Sequence, residues 1–347
     1  MKDHFRSFPL SIAIVCIGIL FLTACSHNPD KPDVSNVQVR DVHIERFENT
    51  FFSIDSNNIV SGLRLLAQKY PWFTYDFVGN ILGAGAPSDT SRIAFDATRQ
   101  FLVSYLPVYD SLRQKYTRLD WLEKELTTGF RYTKYYFPHY NLPEKIVTYI
   151  GPFDGPGIAL TNYALAIGLQ SYAGRNFSFY LSGKGQELYP QYISRRFEPE
   201  YITANCITSI AQDIIPDSSE GRPLIEQMII KGKYLWLQTR LLPDAPDTIR
   251  SGFTAAHLKW CASHEGDIWN YFLQNTDLYT LDPDIIKNFI GDSPKTNGMP
   301  DAAPGNVGAW VGWQIVKKYL AAHNVNPETL MHTSAKTIFE ESKYKPH

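Results

Sequence analysis

Apolar and polar residues alternate well enough from Val37 to Arg46 to predict a strand, with Val37, Val39, Val42 and Ile44 as its apolar positions. From Ile59 to Tyr70 the period lengthens to that of a helix. Val108, Leu112, Tyr116, Leu119, Leu122 and Leu126 recur at three- and four-residue steps, which predicts one long amphipathic helix closed by Gly129. Lys145–Gly151 and Ile158–Leu169 are apolar runs on either side of a Gly/Pro cluster at 151–157, so they predict two strands and a turn. Beyond Glu198 the pattern is mostly helical. Glu198-Pro199-Glu200, Asp282-Pro283-Asp284 and Asn326-Pro327-Glu328 each place proline at a first helical position, where its missing N–H costs nothing, and an acid at the positive end of the dipole. Asp282 is a capping residue and Gly291 ends its helix. Thr254 opens a further helix reaching about Gln274. The fold class is α+β, with early strands followed by a mostly helical C-terminal half.

The first 25 residues stand apart. Lys2 and Arg6 precede an apolar run from Ile12 to Leu22, and Thr23-Ala24-Cys25 follows. The run is far short of the roughly 20 residues that span a bilayer. The layout is secretory, and cysteine at the cleavage point resembles a bacterial lipoprotein signal. On this reading residues 1–24 are removed and Cys25 carries the lipid. Residues 25–36, polar and holding two prolines, form a tether, and 37–347 form a single globular domain. The partner of Cys25 is then a membrane.

Composition narrows the function. A formal net charge of −2 gives no basic surface for phosphates, so nucleic acid is not an expected partner. Aromatic residues at 14% and charged residues at 20% describe a folded domain rather than a disordered one. With Cys16 in the signal and Cys25 at the lipid, only Cys206 and Cys261 are left to pair. The exported compartment permits a disulfide; the isoleucines around Cys206 equally suit a buried helical thiol.

Most catalytic templates are missing. There is no phosphate-cradling G-x-x-x-x-G-K-[ST], and Gly83-Ala84-Gly85 leads into Pro87, which spoils a helix start. Tyr180-Leu181-Ser182-Gly183-Lys184 lacks the first glycine of a nucleophile elbow and reads as a turn. His257 and His264, placed on one helix seven residues apart, would be separated by about 10.5 Å along the axis, too far to share a zinc ion. His264-Glu265 begins like H-E-x-x-H, but position 268 is Ile. No catalytic residue, metal or cofactor is therefore assigned.

The segment from Pro304 to Trp313 is the most distinctive. Asn306 is placed to cap a helix whose first turns carry Gly308 and Gly312, on one face and four apart. Each glycine costs about 1 kcal/mol against alanine, so something must come close to that face. A tight helix crossing is one reading. The other is a groove wall of Gly305, Asn306, Gly308, Trp310, Gly312 and Trp313 that receives a peptide or an anion. The aromatic stretch Arg131–Tyr140 likewise suits either a binding surface or a helix end packed on the core.

Val42-His43-Ile44-Glu45-Arg46-Phe47, Phe51-Phe52-Ser53-Ile54-Asp55, Tyr70-Pro71-Trp72-Phe73, Tyr192-Ile193-Ser194-Arg195-Arg196-Phe197 and the run from Ile268-Trp269 through Trp310-Val311-Gly312-Trp313 to Tyr344-Lys345-Pro346 occur in an order that resembles the gliding-motility lipoproteins of the GldB type from Bacteroidota. That family in turn looks like a distant relative of zinc peptidases, which implies a degenerate peptidase-like architecture. By that comparison Lys231, in Ile229-Ile230-Lys231-Gly232, stands where a glutamate ligand would be, and an ammonium has no lone pair to give. Asn306 also replaces an arginine common in the family. The resemblance implies a non-enzymatic, lipid-anchored envelope protein whose partners are other proteins of the gliding or type IX secretion machinery. Two alternatives stay open: a peptide- or glycan-binding lipoprotein using the old cleft, and a metallopeptidase with an unorthodox site. Ser26 rather than an acid follows Cys25, and Asp30 and Asp33 are isolated, which by resemblance to lipoproteins of this phylum favours a periplasm-facing position, the outer membrane preferred. Cys25→Ala is expected to release the protein from membranes and to abolish fatty-acid labelling; retention of the variant in the membrane fraction would contradict the anchor.

Overall fold

The computed structural model describes residues 31–85 and 92–346, so Cys25 and the signal-like segment lie outside the described residues. Strand β1 (Ile44–Arg46) runs directly into helix α1 (Phe47–Phe51). Then come α2 (Ile59–Lys69), a π-helical turn at Asp76–Ile81, α3 (Arg92–Lys115) and α4 (Asp120–Tyr136). The chain returns as β2 (Lys145–Tyr149), β3 (Ile158–Leu160) and β4 (Ala164–Gly168). Three short helices follow: α5 (Ser178–Leu181), α6 (Gly183–Leu188) and α7 (Gln191–Ser194). The helical half continues through α8 (Ile202–Ile214), α9 (Leu224–Leu241), α10 (Asp247–Ser251), α11 (Ala255–Ser263) and α12 (Glu265–Asn275). It closes with α13 (Pro283–Ile290), α14 (Val307–Ala322), α15 (Pro327–His332) and α16 (Ala335–Ser342). The fold is α+β, as expected.

The sheet has the order β1-β2-β4-β3, with β1, β2 and β4 parallel and β3 antiparallel to β4. β4 is buried along its whole length, which is why it reads as an unbroken apolar run rather than an alternation. Phe47, Phe51, Phe73, Phe77 and Tyr149 pack edge to face and tilted against one another beside the sheet. The buried Glu48 joins the layers: Arg46 Nε and Thr148 Oγ1 both donate to its carboxylate. Burial raises this carboxyl above its usual range, and the Arg46 charge opposes the shift.

Four predicted boundaries change. The strand expected over Val37–Arg46 pairs only from Ile44; on its outer edge Val42 N–H donates to Thr127 Oγ1 and Ile44 N–H to Glu123 Oε1. The long helix through Leu126 is two helices, and Gly129 sits inside the second rather than ending it. The break at Tyr116–Leu119 is held by tertiary bonds, with Arg46 Nη1 donating to the Tyr116 carbonyl at 2.7 Å and the Tyr116 hydroxyl to the Tyr172 carbonyl at 2.6 Å. The run Ile158–Leu169 is a hairpin, because Thr161 Oγ1 accepts from the backbone of Tyr163 and Ala164 and turns the chain. The helix from Thr254 breaks at His264, whose ring stacks on Trp260 with Nδ1 2.9 Å from the Trp260 carbonyl. The capping grammar holds: Asp282, Asn326 and Thr254 all accept from backbone N–H groups of the helices they open, and prolines occupy the first position of α13 and α15. Cys206 and Cys261 are both free, buried thiols.

Several hydroxyls and ammonium groups are buried against carbonyls, which sets the alkaline behaviour. The Lys233 ammonium donates to the Met331 and Thr333 carbonyls, and burial lowers its pKa to about 8. Between pH 8 and about 10.4 the unfolded chain therefore holds a proton on this group that the folded one has lost, and Lys233 by itself makes stability rise with pH. Tyrosines act in the opposite direction. Tyr234 donates to the Ile215 carbonyl and burial pushes it up to about 12; Tyr116, Tyr149 and Tyr180 are raised for the same reason. Above pH 10 the unfolded tyrosines ionise first, so stability is lost as pH climbs toward 12. Burial also raises the Cys206 and Cys261 thiols, so unfolded cysteines ionise first from about pH 8.5 and outweigh the single lysine. Thermal unfolding followed from pH 7 to pH 12 is expected to give a shallow maximum near about pH 8–9 and a steep fall beyond about pH 10.

Candidate functional site

The Pro304–Trp313 segment forms the start of α14, and nearly every residue of its first two turns is buried. Gly312 lies on the backbone of α9: a Cβ there would overlap the Met228 carbonyl oxygen and stand 2.9 Å from Ile229 N. The approach is mutual, since a Cβ on Gly232 would overlap Gly312 C and Trp313 N. Gly308 has slightly more room, with Ile290 Cγ2, Phe289 O and Met228 Cγ at 2.9 to 3.1 Å. The face that the two glycines leave bare is therefore filled by α9 at Gly312 and by α13 and α9 together at Gly308. Trp310 and Trp313 are 4% and 5% exposed, so these two indoles are core rather than surface, and Lys317 lies over the Trp313 ring at 4.7 Å.

The start of the helix differs from expectation. Asn306 occupies the N-cap position in the left-handed region, at φ 61°, and its side chain makes no capping bond. In that conformation Oδ1 is buried with no partner, as is Trp313 Nε1. Gly305 is required because a Cβ would overlap the Ser293 carbonyl. The Thr296 hydroxyl ties the loop down through the Pro304 carbonyl at 2.6 Å.

Neighbouring positions that carry candidate chemistry have structural partners. Lys231 pairs with Asp217 at 2.6 Å, which brings that carboxyl below its usual range, while Lys233 on the other side of Gly232 clips the end of α15. His257 lies in α11 and His264 at the break that ends it, and burial followed by the Arg195 charge lowers His257. Ser182 caps α6 through Gly185 N–H. Among the described residues, no three His, Cys, Asp or Glu side chains gather closely enough to hold a metal. Around Arg131–Tyr140, Lys134 Nζ donates to the carbonyls of Pro138 and Tyr140, and the Tyr140 hydroxyl donates to Asp213 at 2.8 Å. That stretch is a helix end stitched to α8, with Tyr135 left exposed.

One cleft is not anticipated by the sequence reading. A cavity of about 300 Å³ opens between the Arg196–Asn205 segment and α10, with Arg196 and Arg250 on its two walls. The available signal was the adjacent pair Arg195-Arg196 between Ser194 and Phe197; its partner Arg250 lies on a different element, so no local spacing reveals it.

These features define an α+β domain with a helical core closed by a glycine crossing. A model of the family described as gliding motility protein GldB matches residues 27–346, and the chain belongs to that family. Membership gives it a role in gliding motility and an association with the cell envelope. No curated protein and no solved structure matches the chain. Among the described residues, no helix is long and apolar enough to cross a membrane.

The crossing makes a graded prediction. Gly312→Ala drives a methyl into α9 backbone, which cannot yield, and is expected to destabilise the fold by about 3 kcal/mol. Gly308→Ala meets mostly side-chain ends and gains about 1 kcal/mol of helix propensity, so it should stay near neutral. Urea unfolding of the two variants separates these outcomes.

Proposed function

We propose that this protein supports gliding motility as a lipid-anchored, non-enzymatic component of the envelope that acts by binding other proteins of the motility or secretion machinery. The observation that carries the reading is the family match over residues 27–346, read together with what fills the positions where peptidase chemistry would be sought. Lys231 is neutralised by Asp217, the His264 ring is stacked on Trp260 beside its carbonyl, and the space over Gly308 and Gly312 is taken by α13 and α9. Each of these groups serves the fold, which leaves surface recognition as the route to function. Lipidation at Cys25 keeps that surface at a membrane face, with the periplasmic side of the outer membrane preferred.

Deletion in a gliding host is expected to abolish colony spreading, and a wild-type copy should restore it. Unchanged spreading together with unchanged secretion would refute the motility role. Stoichiometric metal in the purified protein, with peptide hydrolysis that a chelator stops, would overturn the non-enzymatic part.

A further inference from the structure

Arg195 and Arg196 are adjacent like charges, and a third guanidinium, Arg250, faces them from α10. Arg195 Nη2 donates to the Gly252 carbonyl at 2.6 Å. Arg196 lies along Gly252, which sits at φ 71°, and pairs with Asp292 at 2.9 Å. Arg250 donates to the Leu242 carbonyl at 3.0 Å and to Asp247 at 2.6 Å, but its Nε is buried without a partner. Burial and the Arg196 charge both lower the pKa of Arg195, so the arrangement stores repulsion. Two side chains with donor groups, Tyr201 and Asn205, also line the cleft, and Phe197 and Ile249 give it apolar walls.

The charge count indicates what would relieve that repulsion. Three guanidinium groups face two bonded carboxylates, Asp247 and Asp292. The nearby Glu198 and Glu200 are matched by Lys115 and Arg175. One positive charge is left over, which a single carboxylate balances and a phosphate dianion exceeds. Arginine forks suit planar carboxylates, and apolar walls suit an acid carried on an organic body rather than an inorganic ion. The volume is at the small end for ligand pockets, large enough for one side chain or chain end.

We propose that the cleft between Arg196 and Arg250 receives a carboxylate of a partner polypeptide, either an acidic side chain or a free C-terminus. This rests on the protein-binding reading above and names the chemistry of its contact. The role assigned to each residue is distinct. Arg196 and Arg250 hold the carboxylate, Arg195 adds charge from behind Gly252, and Asp292 competes with the ligand for Arg196.

Ligand-observed titration of the mature protein in detergent at low salt tests it, with three probes: acetyl-Ala-Glu-Ala-amide, acetyl-Ala-Gln-Ala with a free C-terminus, and inorganic phosphate. At least one peptide is expected to bind, and the one that does identifies side chain or chain end. Arg196→Gln should weaken binding about tenfold, and Asp292→Asn, which frees Arg196, should strengthen it at least twofold. Asn205→Asp can still bond the Tyr172 hydroxyl that Asn205 now reaches at 2.9 Å, yet it places a negative charge in the cleft and should abolish binding. Phosphate binding without peptide binding, or Arg196→Gln and Asp292→Asn shifting affinity in the same direction, overturns the assignment. Failure here leaves the deletion phenotype untouched, so it is distinguishable from failure of the motility role.

Discussion

Helices α9 and α14 meet backbone to backbone, and the helical half is arranged around that contact. Gly232 and Gly312 face each other with no side chain between them, so the axes come closer than any pair bearing Cβ atoms allows. Close approach brings dispersion contacts along both helices and buries Met228, Ile229, Trp236, Val311, Ile315 and Val316. It also fixes what surrounds them. Gly308 holds α13 at Phe289 and Ile290, Gly305 admits the Ser293 loop, and Lys233 reaches across to the end of α15. One contact of this kind constrains four elements, so strain introduced there cannot relax locally.

The N-terminal half is tied together differently, by polar groups in the interior. Glu48 sits at the junction of β1 and α1 and takes donors from Arg46 and Thr148, while Arg46 also reaches the carbonyl freed where α3 ends. Removing either partner would leave a buried charge or carbonyl exposed to nothing, which is the costly way to break such a network. Tyr116 adds a second tie from the same break to Tyr172. The sheet is small, but these bonds give it a fixed position against the helices.

Most of the architecture was readable from local chemistry. Proline at first helical positions, the Asp282 and Asn326 caps and the i, i+4 glycines each act within a few residues, so the sequence carries their meaning directly. What escaped was decided by distant partners. The break after Lys115 depends on Arg46, some 70 residues earlier. The His264 break and the Thr161 turn have local causes, but side-chain bonds to backbone carbonyls and amides compete with a periodic pattern without erasing it. The Arg196–Arg250 cleft escaped for the same long-range reason: its walls come from two elements brought together only by folding.

The capped edge of β1 bears on how this domain behaves among other envelope proteins. An unpaired strand edge is a template on which another chain can add a strand. Here the amides of Val42 and Ile44 are already bonded to Thr127 and Glu123. On that side the sheet has no free amides at these two positions with which to recruit a neighbour, which hinders strand addition there. For a protein of the cell envelope, this amounts to resistance against adventitious polymerisation along that edge.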